Sequence, residues 1–181
     1  MVRNKKRLYV ALYESGIDDD DDNDERRYSW ALLIGPKNEK GSDPVPGTLH
    51  HVITAMDLPW KYEEQAVVDV RRHPGLLSRI MVGKIADEAR AVEILRAVPD
   101  DREEEDPGCW GPSSWVGAAL AALVADPVAM GPSSVMLWDG VEVVARAHVK
   151  KNMEAGRYSG EEDMDKPRPT FDLMTSEEIW E

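Results

Sequence analysis

The chain holds one cysteine, Cys109, one phenylalanine and four histidines among its 181 residues. A lone thiol closes no intramolecular disulfide and excludes thiolate-rich zinc sites, and the histidines (His50, His51, His73, His148) lack the HExxH spacing of a helix-borne metal site. No metal and no cofactor are expected. Long apolar runs are missing too: nothing approaches the length that spans a bilayer, and no cleavable apolar stretch follows Met1, so a cytoplasmic, reducing compartment is expected. Basic residues are scarce, 22 Lys and Arg against 35 Asp and Glu, for a formal charge of −13. Such a surface repels phosphate backbones and anionic lipid, which argues against a nucleic-acid or membrane partner and leaves a small molecule or another protein. The one basic cluster, between Arg3 and Arg7, stands directly ahead of a strand and reads as a solubilising flank.

What remains is ordinary for a soluble globule, with 42% hydrophobic and 31% charged residues, and its length suits a single domain over residues 1–181. "RLYVALY" alternates, setting Leu8, Val10 and Leu12 on one face and Tyr9, Ala11 and Tyr13 on the other. "RRYSWALLIGP", "GTLHHVIT", "WKYEEQAVV" and "LLSRIMVGKI" continue the strand pattern, making five. The acidic stretch over residues 14–25 interrupts the first two. Its run from Asp18 to Asp24 lacks calcium-loop spacing, because the sixth position is Asn23 and the twelfth Ser29. From Asp87 the period turns helical, with Ala91, Ile94, Leu95 and Val98 on one side. A second helix is predicted from Ser113 to Ala125, with the serines as caps, and a third from Trp138 to a C-terminal Gly156. A polar tail, residues 157–181, follows, within which "PTFDLM" is expected to dock. Strands grouped ahead of helices indicate an α+β fold, an antiparallel sheet of about five strands packed on two to three helices.

Five blocks, "LYVALY", "YSWALLIGPK", "GTLHHV", "SSWVGAALAAL" and "PTFDLM", resemble an uncharacterised group of small fungal proteins that read Tyr-His-Trp-Ala-Leu-Leu at the second block. That group in turn resembles the permuted NlpC/P60 branch of papain-like proteins, in which a strand-borne His and a polar residue on the next strand face an Asn-Cys-x-x-aromatic-Val motif opening a later helix. The resemblance implies a papain-like fold with Ser29 at the base position and His51 at the second polar position. Aligning Trp115-Val116 with the aromatic-Val pair puts Gly111 at the Asn position and Pro112 at the Cys position. Proline offers no nucleophile and a neutral serine no base, so the resemblance implies a degenerate thiol-hydrolase site.

Cys109 precedes the second helix by several residues, beyond the useful reach of its dipole, and a lone Cys also serves as small apolar filler. Ser113 and Ser114 offer hydroxyls with no base beside them. Alternation sends His50 and His51 to opposite faces, and His51, sharing a face with Leu49 and Ile53, is the one expected to point at the helices. His148 lies on an apolar stripe and reads as core, and His73 as a turn. The candidate catalytic set is therefore His51, Ser29, Ser113 and Cys109, and the candidate ligand-binding set Trp30, Trp110 and Trp115, with Trp110 and Trp115 flanking the degenerate site as an aromatic wall.

Two classes of function follow: a cleft that has lost its thiol chemistry and serves a small molecule, as a proton-transfer or cyclisation enzyme or as a binder; or a pseudoenzyme that engages a protein partner. A thiol hydrolase or acyltransferase using Cys109 stands third. Cys109→Ala is expected to leave any activity or binding largely intact, whereas changes at Trp115 or His51 reduce it. Rapid iodoacetamide labelling at pH 6, with turnover lost in the Cys109→Ala protein, would instead assign the thiol as nucleophile.

Overall fold

A computed structural model describes residues 5–15, 28–54, 58–100 and 110–180. Their branched and aromatic alternation yields β1 (Arg7–Glu14), β2 (Tyr28–Gly35), β3 (Gly47–Ile53), β4 (Lys61–Val67) and β5 (Leu76–Lys84), then α1 (Glu88–Ala97), α2 (Pro112–Ala125), α3 (Trp138–Glu154), the short α4 (Glu161–Met164), β6 (Thr170–Asp172) and β7 (Glu177–Trp180). The architecture is α+β, with a seven-stranded open sheet in the order β4-β3-β2-β1-β5-β6-β7. All neighbours run antiparallel except β5 and β6. The five expected strands are present. The two added ones come from the C-terminal tail, where Phe171 pairs with Ile80 and draws β6 against β5.

β1, β2 and β5 are buried along almost their whole length, so the sheet is covered on both faces. Leu8, Val10 and Leu12 of β1, Trp30, Leu32 and Ile34 of β2 and Ile80 and Val82 of β5 pack against Leu95 of α1, Val116 and Leu120 of α2 and Val141 and Val149 of α3. Asp87 caps α1, its side chain accepting from the Arg90 N–H. Gly156 closes α3 at φ +74°, a left-handed turn that suits glycine.

On the opposite face Tyr9, Ala11, Ala31, Leu33, Leu49 and Met81 lie under Val45, Val67 and Val70, which come from the β2–β3 loop and from the end of β4 and the turn after it. Loops carry backbone polar groups that need partners when buried. Arg71, 0% exposed, supplies them: its guanidinium donates to the carbonyls of Glu39, Gly41 and Asp43 and to both carboxylate oxygens of Asp69. Arg79, equally buried, forks onto Glu39 at 2.9 and 2.8 Å, lies 4.6 Å above the Tyr9 ring and donates to Thr170. Tyr9 adds a third bond to Glu39.

Removing one partner of such a desolvated pair leaves a charge without compensation. Arg79→Met is expected to lower stability by about 3–5 kcal/mol, and Arg79→Met combined with Glu39→Leu by clearly less. Urea unfolding of both variants checks this, and equal losses would show that the pair is not coupled.

Candidate functional site

The sheet separates the residues that the papain-like reading brings together. In the β1–β2 register Ser29 stands opposite Tyr13, and Trp30 opposite Leu12. Alternation therefore turns Ser29 to the loop-covered face, while Trp30 joins the helix side. On β3, His50 and Val52 face the helices, and Leu49 and His51 the loops. Ser29 and His51 share a face with one another, but α2, with Ser113 and Trp115, packs on the other. The expectation that His51 points at the helices is corrected: its neighbour Leu49 belongs to the loop-covered face, which carries an apolar cluster of its own.

Around His51 the loop-covered face is polar. Its Nε2 is buried with no hydrogen-bond partner among the described residues, 3.8 Å from Glu63 Oε1, and burial lowers the ring's pKa. Tyr13 bonds its hydroxyl to His73 Nδ1 at 3.1 Å, and burial pushes the Tyr13 pKa up.

At the start of α2 the geometry is closed. Gly111 is the N-cap, with no side-chain capping bond, and Pro112 occupies the first turn, so Ser113 sits inside the helix rather than capping it as expected. Trp115 is 0% and Trp30 1% exposed. Neither forms the wall of an open cleft; both are core. Trp110 is half-buried, its indole donating to the Asp100 carbonyl at 2.9 Å, and Gly111 lies against Trp60. Cys109 lies outside the described residues, as does the run from Asp18 to Asp24.

The imidazole linked to this end of α2, through Tyr62, is His50, which lay outside the candidate set. Its Nδ1 is 2.8 Å from the Tyr62 hydroxyl and its Nε2 3.1 Å from Thr48 Oγ1, and the Tyr62 ring lies 5.7 Å from that of Trp115. Burial holds the His50 pKa down to about 4, against the attraction of Glu64. The ring is therefore neutral at pH 7, one nitrogen donating and the other accepting. Burial likewise raises Tyr62 to about 12. His50 and Tyr62 meet diagonally across the adjacent strands β3 and β4, where His50 pairs with Glu64 and Tyr62 with Val52, each on the helix-facing side of its strand.

A second chain of hydrogen bonds has the connectivity of a serine-hydrolase relay. Ser78 Oγ lies 2.6 Å from His148 Nδ1, and His148 Nε2 lies 2.8 Å from Glu178 Oε2, which also accepts Lys151 at its other oxygen. Ser78 is 0% and His148 5% exposed, with the imidazole 5.9 Å from Phe171. No substrate carbonyl reaches a hydroxyl buried under α3, so this relay ties β5, α3 and β7 together. His148 belongs to the core, as its place on an apolar stripe implied.

A concavity lies elsewhere among the described residues, between α1 and α2: about 390 Å³, lined by Ile94, Ala97, Val98, Pro99, Ala118 and Ala122, with Arg90 and Glu93 on its rim. None of the described candidate residues, Ser29, His51, Ser113, Trp30, Trp110 and Trp115, lines it. Among the described residues no three His, Cys, Asp or Glu side chains gather as a metal site, and no helix is long and apolar enough to cross a membrane.

Set beside known proteins, residues 5–180 match the family of unknown function DUF6914, and the chain belongs to that family. No curated protein and no solved structure matches it.

His50 provides a pH test. Its folded pKa is depressed from an unfolded 6.5 to about 4, so the unfolded chain binds the extra proton first as pH falls. The stability tied to the neutral ring is complete above pH 6.5 and is lost progressively down to pH 4, about 3 kcal/mol in all. Urea midpoints at pH 7 and pH 4 should differ by less in His50→Asn than in the parent. An undiminished difference would remove His50 as the titrating group.

Proposed function

We propose that the chain is a binding protein rather than a thiol hydrolase, and that it takes a small apolar molecule in the groove between α1 and α2. The observation that carries this reading is the contrast between two places. Where a papain-like nucleophile would stand, Pro112 occupies the first turn and buried aromatic side chains fill the space behind it. One helix away, an open groove has a floor of Ile94, Ala97, Val98, Ala118 and Ala122, within the size range of small-molecule sites. Arg90 on the rim is held by Glu93 at 2.7 Å and Asp126 at 2.9 Å, which leaves the rim net negative. A neutral or cationic ligand suits it better than an anionic one. Among the described residues the lining carries no Ser, Cys or His, which favours binding over nucleophilic turnover.

The alternative, a pseudoenzyme that engages a protein partner, is favoured by a different feature. Val124 of α2, Val128 and Leu137 in the connection, and Val143 of α3 are all more than half exposed, apolar side chains that a protein partner could cover.

The groove is tested with the neutral fluorophore N-phenyl-1-naphthylamine. Ala118→Phe and Ala122→Phe fill the groove from α2 and should weaken binding at least tenfold while thermal melting stays within a few degrees of the parent. Val143→Asp should leave probe binding unchanged. Unchanged binding in both filled variants would reject the groove as the seat, and loss of a partner in Val143→Asp would favour the interaction reading.

A further inference from the structure

We propose that the free edge of β4 is a docking strand for an extended, cationic segment of another protein, which continues the sheet beyond its seven strands. β4 stands at one end of the strand order and pairs only with β3, over the full register from Gly47↔Val67 to Ile53↔Lys61. The outward direction is marked by the Tyr62 N–H, which donates away from β3 to Asp100 Oδ2 at 3.2 Å. In an antiparallel ladder this direction repeats every second residue, so the N–H and C=O groups of Glu64 and Ala66 also point outward. No backbone group among the described residues pairs with them. Glu64, Gln65 and Ala66 are exposed in succession, and Val68, just beyond, is 76% exposed.

The charge pattern selects the occupant. Charged side chains on an edge strand commonly prevent unwanted pairing, and here they are of one dominant sign. Two copies of this chain, each carrying −13, would have to bring Glu63 and Glu64 against their own counterparts, which disfavours a β4–β4 dimer. A basic strand meets the opposite situation. Its side chains on the loop-covered face fall beside Glu63, whose carboxylate is 43% exposed and only loosely met by His51 at 3.8 Å. Those on the helix face fall beside Glu64, already bound to Arg96 at 2.8 Å. The fitting segment therefore alternates Lys or Arg with small polar residues, its backbone supplying the hydrogen bonds and its alternate charges the selectivity.

The full chain is titrated calorimetrically with a short peptide alternating Lys and Thr. Binding is expected, weakening with added salt, and absent for the Glu–Thr counterpart and for a Lys–Thr peptide N-methylated at every second residue. Ala66→Pro removes one outward N–H without touching the β3 ladder, because proline is tolerated where the edge N–H faces away. It should cost at least tenfold in affinity, and Glu63→Gln a smaller amount that salt abolishes. Several results would overturn the proposal: equal binding of the N-methylated peptide, no binding of the Lys–Thr peptide at all, or a concentration-dependent dimer that Ala66→Pro dissociates. Slow hydrogen exchange at Glu64 and Ala66 in the free protein would do so as well, since the chain itself would then already cover the edge. The N-methylated peptide keeps the test decisive even if Ala66→Pro does not fold.

Discussion

Arg71 and Arg79 make a two-sided sheet possible in a chain with only enough helix for one side. β1, β2 and β5 are apolar on both faces, and the helices cover one. The other is covered by irregular chain, which brings carbonyls and N–H groups into the dry region. Arg71 meets three carbonyls and the Asp69 carboxylate with its whole fork, and Arg79 anchors Glu39 of the same loop from the strand beneath. A lysine at either position would leave part of this geometry unmet, because the pattern depends on a planar fork with several fixed donors. A protein that invests two buried guanidiniums in closing this face has left little of it open.

That closure decides which chemistry is available. Ser29 and His51 lie on the loop-covered face, and the end of α2 on the helix-covered face, so an acyl group cannot be handed between them across a sheet packed on both sides. The two relay-like arrangements that do form, Thr48–His50–Tyr62 and Ser78–His148–Glu178, each have good distances and little access. Hydrogen-bonded histidines under a helix layer satisfy one another's polarity inside the core. The geometry that would mark a catalyst in an open cleft marks a polar staple here, and exposure is the quantity that separates the two.

The five long strands and three long helices were legible because each carries its own period and its own stops: Gly35-Pro36 after β2, the Asp87 cap before α1, Asp126-Pro127 after α2. The face that each side chain occupies was less so. Alternation fixes orientation only when one side of the strand is wet. In "GTLHHVI" both alternate sets contain apolar residues, Leu49 and Ile53 on one side and Val52 on the other, so sequence alone had no means of choosing between His50 and His51. The C-terminal pair β6 and β7 was hidden for another reason. Three residues of parallel pairing through Thr170 to Asp172 carry too little pattern, and the docking of "PTFDLM" rests on Phe171 meeting His148 and β5, a contact between positions far apart in the chain. The serines of "GPSSW" misled because Ser is a good cap; with Pro112 in the first turn, the helix starts one residue earlier and Gly111 takes the cap.

The filled site and the free edge follow from one arrangement. Putting large indoles at Trp30 and Trp115 into the space between sheet and helices stabilises the helix layer by burying apolar area on the order of 150–250 Å² per ring, but it spends the volume that a substrate would need. Binding surface must then come from the outside of the helices or from the rim of the sheet. α1 and α2 leave a groove because alanines line their junction from the α2 side: Ala118 and Ala122 stand where a larger residue would have closed it against Ile94. β4 is left open for a comparable reason, since Glu64 and Arg96 hold α1 to the helix-facing side of the strand and no described element lies across its edge. Small side chains at a helix junction and a charged strand at a sheet margin are both ways of keeping surface available in a molecule whose interior is full.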